Sequence, residues 1–339
     1  MRQKFCRSYW RLGLNLKSQY RAMDSSSSFP TERDNDQAYL LWKLDKLNEL
    51  AKATKAKRLI KHPLKYLFAI FWRKLVYPML SLPFPTTTRT FFGTKMNLVL
   101  PAGTDIYLLG GKGHFSEIAL ASYLIKNLNK GDNFIDIGAH YGYFSLLASL
   151  LVKEHGHVIS FEPTPSTFKV LKKNLKGCSN AEIYNMAAGE KEGVLDFYIF
   201  SNLYSEYNTF RPEQFKGAKW YEKGKAQIKK IGVVNLNEFF SEKKLKPKII
   251  KIDVEGAEDQ VIKGLIPYLT ENSPSIVMEY LSEDRGNASH KAAAEQLQKA
   301  GYYPYQIKST GIPERITGSI EDHFKEKDIS SDNVLFLKE

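Results

Sequence analysis

Cysteine is nearly missing from this 339-residue chain. Cys6 and Cys178 are the only two and stand far apart, so no disulfide framework and no cysteine-based zinc pattern exists. That scarcity points to a reducing compartment and a cytoplasmic setting. No H-E-x-x-H motif occurs, which removes the commonest zinc-hydrolase arrangement. Residues 1–23 are basic and aromatic without an uninterrupted apolar core, so they do not read as a cleavable signal peptide. In the N-terminal arm the unbroken apolar piece, Tyr66 to Trp72, falls far short of the roughly 20 residues a spanning helix needs.

What is present suits a large globular unit. Hydrophobic residues make up 43% of the chain, and 22 Gly and 14 Pro are ordinary numbers that exclude fibrous classes. The net charge of +12 is uneven. Residues 1–80 hold 17 Lys and Arg against 6 Asp and Glu, whereas the rest holds 32 against 31. A nearly neutral body argues against a broad nucleic-acid face on the part that does chemistry. The expected division is a basic segment 1–36 with a Ser25–Ser28 linker, a helical extension 37–88, and a body 89–339 with an aromatic insertion at about 201–228. Either Met1 or Met23 could initiate the chain.

The body is organised around Asn133-Phe-Ile-Asp136-Ile-Gly138-Ala139-His140-Tyr-Gly142-Tyr-Phe-Ser145. It reads as a buried strand, a tight glycine turn and a helix start. The glycine spacing is not G-x-G-x-x-G. A carboxylate at Asp136 would repel a pyrophosphate on the helix N-terminus and attract an ammonium or sulfonium. S-adenosylmethionine carries both. A solvated Asp at a plain strand–helix corner is the alternative.

The strand His157 to Phe161 runs into Glu162, whose carboxylate can accept both hydroxyls of a ribose. Otherwise it caps the next helix, although Thr164 and Ser166 already serve for that. Ala187-Ala188-Gly189 leaves room for a flat ring after a third strand. Pro247 to Ile252 is a further strand, ending in Asp253-Val-Glu255-Gly256, and Pro274 to Tyr280 is another, containing Glu279. The helix between them runs from Ala257 to Leu269, where Glu258 could simply supply N-terminal charge. Strand and helix alternate as in an open, doubly wound α/β sheet, mostly parallel and Rossmann-like.

Three outlying stretches complete the pattern. Residues 91–110 suggest a small β-hairpin, and Gly110-Gly-Lys-Gly113 lacks Walker spacing and reads as a flexible loop. Residues 201–225 carry Tyr204, Tyr207, Phe210, Phe215, Trp220 and Tyr221, suited either to stacking on a sugar or lipid headgroup or to local packing. Residues 37–60 form one helix with a leucine stripe. Residues 59–82 mix apolar, aromatic and basic residues, as in a helix lying on an anionic membrane surface at the inner membrane face. Packing on the body or on a second subunit of a homo-oligomer would serve equally.

Five pieces in order carry a family likeness: Asp136-Ile-Gly-Ala-His-Tyr-Gly142, Phe161-Glu-Pro163, Ala187-Ala-Gly189, Lys251-Ile-Asp-Val-Glu-Gly-Ala-Glu258 and Gly301-Tyr-Tyr303. Over roughly residues 91–310 the chain resembles the FkbM family of S-adenosylmethionine-dependent methyltransferases. The resemblance implies a seven-stranded class I methyltransferase fold and O-methylation of a sugar, glycan, glycolipid or other small hydroxyl-bearing metabolite. It implies that the glycine loop around Asp136, Gly138 and Gly142 holds the methionine end of the cofactor and Glu162 the ribose, with Glu117 in reach from upstream; Ala139 and Ala187 are the remaining cofactor-binding candidates. His140 departs from the family, which commonly has Asn there, and can titrate near neutrality. Asp253 is the first candidate for general base, followed by Glu255, Glu279 and His140. A divalent metal held by Asp253 and its neighbours is a further alternative, without a motif that indicates it. A dinucleotide-dependent oxidoreductase and a non-catalytic membrane-bound scaffold are the competing readings.

Overall fold

The computed structural model describes residues 32–217, 221 and 226–339. The expectations for residues 1–31, Met23 among them, and for Trp220 lie outside those residues. The chain divides into Met1–Ala38 and Tyr39–Glu339, so the helices after Tyr39 belong to the same unit as the sheet.

A hairpin, β1 (Phe84–Arg89) and β2 (Lys95–Leu100), precedes the body. It lies upstream of the expected 91–110, because Gly93 (φ +90°) sits in the turn and the threonine-rich run before it extends. Three strands follow in the main sheet: β3 (Asn133–Ile137), β4 (His157–Phe161) and β5 (Ala181–Tyr184). Then come β6 (Ala187–Gly189), β7 (Gly193–Ile199) and β8 (Gln227–Asn235), which form a separate small sheet in the order β6-β8-β7. The main sheet resumes with β9 (Ile249–Ile252), β10 (Ser275–Leu281), β11 (Tyr302–Ile307), β12 (Pro313–Arg315) and β13 (Ser331–Lys338).

The main-sheet order is β12-β11-β13-β10-β9-β3-β4-β5. β10, β9, β3, β4 and β5 run parallel, and β13 is antiparallel to both its neighbours. This is the expected open, doubly wound, mostly parallel sheet, with the short β12 as an eighth strand beyond the seven expected. The central strands are apolar on both faces because helices cover both. Phe134, Val158 and Ile249 pack with the helices Phe115–Asn127 and Tyr143–Val152. Ile135, Ile159 and Ile250 pack with the helices Leu236–Lys243, Glu258–Glu271 and Ala288–Lys299. Chain order reverses between β3 and β9, and open sheets place ligands at the carboxyl ends of such strands.

Two expectations change. The 37–60 helix is broken into Glu32–Lys52 and Lys55–Lys61, because Thr54 turns the backbone extended and its hydroxyl accepts from the Lys57 N–H. Leu44 and Leu47 of the stripe are buried on the core. The 110–113 loop is firmly held rather than flexible. Gly110 O accepts from the Phe91 N–H at 2.7 Å, and the Gly113 N–H donates to Asp105 at 2.6 Å. Among the described residues no helix is long and apolar enough to cross a membrane.

Candidate active site

The tips of β3, β4 and β9 are locked by backbone contacts. The N–H groups of Gly138 and Ala139 both donate to Phe161 O at 3.0 Å, and the Asp253 N–H donates to Ile137 O at 3.0 Å. Gly138 has φ +80°, and a Cβ there would overlap the Asp253 carbonyl oxygen. Only glycine fits the place where the two strand ends touch. His140 follows at φ +49°.

A cavity of about 420 Å³ lies over these tips. Of the sequence-derived candidates, Glu117, Gly138, Ala139, His140, Glu162, Ala187, Asp253 and Glu255 line it, and so does Glu279. Asp136 and Gly142 do not. Asp136 points into the body: its Oδ2 accepts from Ser145 Oγ at 2.5 Å, and Lys251 Nζ lies 3.6 Å from its Oδ1. The physical reason is strand alternation: the side chain at 136 faces the Tyr143–Val152 helix, where Ser145 and Ser160 form a buried polar chain. Gly142 starts that helix at φ +82°, and a Cβ there would collide with Leu171. Its constraint is packing rather than ligand approach.

Glu162 is buried, and each of its oxygens holds a backbone group. Oε2 accepts from the His140 N–H at 2.9 Å and Oε1 from the Thr164 N–H at 2.8 Å. Burial nevertheless pushes its carboxyl up to about 7. The carboxylate thus ties the glycine turn to the end of β4 while its remaining lone pairs stay available. The His140 imidazole is pushed down to about 3 by burial, with Lys112 adding to the effect. It is neutral at pH 7, so the expectation of titration near neutrality does not hold.

Two lysines balance the acids. Lys251, buried on β9, stands 3.1 Å from Asp253 Oδ2 and bridges it to Asp136. Burial opposes ionisation of Asp253, but Lys251 and Lys112 outweigh it and hold the carboxyl low. Lys112 pairs with Glu117 Oε1 at 2.8 Å. The other oxygen, Glu117 Oε2, is buried without a hydrogen-bond partner. Glu255 and Glu279 behave oppositely to Asp253. Burial comes first, then the neighbouring carboxylates, and both are driven well above the ordinary range. Asp253, Glu255 and Glu279 each offer an oxygen within 4.8 Å of the others, a spacing that could take one divalent cation or a shared proton.

The insertion roofs the cavity. Ser205, Glu206, Tyr207, Asn208 and Phe210 line it. Asn208 donates to Thr164 Oγ1 at 3.0 Å, and Thr209 Oγ1 donates to Glu255 O at 2.7 Å. Its aromatics also pack on one another, with Phe210 edge-on to Phe197 at 4.8 Å. Sequence reasoning missed Lys112, Lys251, Glu206 and Arg285 as cavity residues. Lys251 alone carried a signal, since a lysine inside an apolar central strand needs carboxylate partners.

Residues 136–304 match the family model of the Methyltransferase FkbM domain. The chain is 28% identical over 170 residues to Methyltransferase sdnD of Sordaria araneosa, a match spanning 42% of this chain and 64% of that protein. It is 22% identical over 184 residues to Methyltransferase 1 of Beauveria bassiana, spanning 50% and 72%. The first of these curated relatives is therefore matched over somewhat less than two thirds of its length. A solved structure of methyltransferase FkbM from Methylobacillus flagellatus aligns with TM-score 0.39 at 15% identity, covering 70% of this chain and 52% of that one.

Proposed function

Because the chain belongs to the FkbM methyltransferase family, we propose that it moves a methyl group from S-adenosylmethionine to a hydroxyl of a sugar, glycan or glycolipid. The observation that carries this reading is Glu162 at the tip of β4, hydrogen-bonded to the turn after β3 and facing the cavity. There its carboxylate would accept ribose hydroxyls. The buried, unpartnered Glu117 Oε2 suits an ammonium group, and Gly138 keeps the strand ends clear of a side chain. Ala187, a small residue that lines the cavity as Pro163 and Met186 do, would leave room for a base. Bound there, the cofactor would supply the sulfonium methyl.

The protein's part is to orient the acceptor and take up its proton. Orientation alone can contribute on the order of 7–11 kcal/mol. A hydroxyl needs a base whose strength matches the working pH. Asp253, held low by Lys251, is a weak base and better placed to orient charge. Glu255, held high by burial and then by Glu279, and Glu279, held high by burial and then by Asp253 and Glu258, are the stronger proton acceptors. His140, at about 3, is too weak a base at pH 7.

Calorimetry with S-adenosylmethionine and with NAD tests the cofactor. Binding of the first alone is expected, and binding of NAD alone would favour an oxidoreductase instead. Labelled methyl transfer into an extract divided into glycan, lipid, protein and nucleic acid tests the acceptor; label confined to protein or nucleic acid would overturn it. The spacing of Asp253, Glu255 and Glu279 favours one second reading, a cation that acidifies the acceptor hydroxyl. Turnover that survives EDTA supports the proton-acceptor reading, and turnover restored only by added Mg²⁺ supports the cation.

A further inference from the structure

The arm that follows the first helix carries an apolar face turned away from the body. In the helix Pro63–Phe71, Tyr66 and Ala69 are buried inward. Leu64, Leu67, Ile70 and Phe71 are exposed on the other side, Leu64 by 83%. Leu75 and Met79 after this helix, exposed by 53% and 75%, and Ile60 before it, exposed by 80%, extend the run of exposed apolar side chains along the arm. So many large apolar side chains on one surface segment mark an interaction site.

Charge chooses the occupant. No Asp or Glu occurs between Glu49 and Asp105. Over the same stretch Lys55, Lys57, Lys61, Arg73 and Lys74 are exposed, interleaved in sequence with the exposed apolar residues. A protein partner of ordinary composition does not require an acid-free border, whereas an anionic headgroup layer does. Trp72 packs on Phe84 of β1 at 4.6 Å, and the Tyr77 hydroxyl, accepting from the Leu203 N–H at 3.2 Å, fastens the arm to the body. Arg73 lines the cavity described above.

We propose that the surface from Lys55 to Leu82 seats the protein on an anionic lipid bilayer, with its leucines and Phe71 entering the interface and its lysines on the headgroups. Seating there brings the Arg73 rim of the cavity to headgroup level. That a lipid-borne hydroxyl is then the acceptor rests on the methyl-transfer reading, whereas the seating itself does not.

Co-sedimentation of the full chain with phosphatidylcholine vesicles, with and without phosphatidylglycerol, tests it. Pelleting is expected only with the anionic vesicles and is expected to fade as salt is raised. The triple variant Leu64→Ser, Leu67→Ser, Phe71→Ser should stay in the supernatant while keeping its circular dichroism. The charge variant Lys61→Glu, Lys74→Glu, which leaves the apolar face intact, should lose at least tenfold in vesicle affinity. No pelleting with either vesicle, or equal pelleting with both, overturns the proposal. A stable dimer in sedimentation equilibrium that the triple variant abolishes also overturns it and assigns the face to a second copy. Label in the lipid fraction is read separately, so a seated protein that methylates no lipid leaves the seating intact and removes the lipid acceptor alone.

Discussion

Gly138 and Glu162 are the two residues on which the cavity turns, for different reasons. At Gly138 any side chain meets the Asp253 carbonyl, and the left-handed φ adds strain. Gly138→Ala is expected to cost at least about 3 kcal/mol and to abolish cofactor binding, checked by thermal melts and calorimetry. Glu162 has its carboxyl raised by burial to about 7. The folded protein therefore binds more protons here than the unfolded chain between about pH 4.5 and 7, so this group's contribution to stability falls as pH rises through that window. Ribose hydroxyls need the ionised acceptor, so cofactor affinity should rise with pH through about 7. Glu162→Gln should flatten both slopes; a steep slope surviving in that variant would show that another group is responsible. Residue type and spacing made Glu162 and Asp253 legible. They misplaced Asp136, because a strand's alternation assigns faces only once its neighbours are known.

The element that matters most is the turn after β9. Glu258 is fully buried; its Oε1 accepts from the N–H groups of Val254 and Gly256, and its Oε2 accepts from Ser289. His290 Nε2 lies 3.5 Å away. Glu258 stands in the first turn of the helix Glu258–Glu271, as the helix-end reading has it, and it also braces the turn that carries Asp253 and Glu255. Glu258→Ala leaves buried donors unpaired and should cost about 3 kcal/mol, measurable in urea titrations. Burial and then repulsion by Glu279, on β10, raise the titration of Glu255 at this turn, and the ionised member of the two is the proposed base. Activity should then fall as pH drops through their raised titration. In Glu279→Gln the repulsion is gone, so the acid limb of the kcat profile should move to lower pH; an unmoved limb would dismiss the pair. The roof built by the insertion could not be read from sequence, because its aromatics serve cavity wall and local packing at once.

Across the whole molecule, charge and hydrophobic periodicity act at different ranges. Local spacing announced the strands, the glycine turns and most helices, because burial on one face or two leaves a repeat in the chain. The basic arm and neutral body were equally visible, since net charge is a sum and needs no fold. Which acids share a cavity is another matter. Glu117, Glu162, Asp253 and Glu279 come from four separate segments: the pairing of β3 with β4 and β9 brings the second and third together, β10 on β9 adds Glu279, and the helix Phe115–Asn127 adds Glu117. Protonation follows from that gathering: three carboxylates on neighbouring tips diverge, one held low by Lys251 and two driven high by burial. Composition and spacing thus sufficed for the architecture, because it depends on repeats along the chain, whereas the kind of chemistry was implied by the likeness of five short motifs to the FkbM family. The roles of individual acids waited on folding, because electrostatic environment depends on distances between segments that the chain order does not contain.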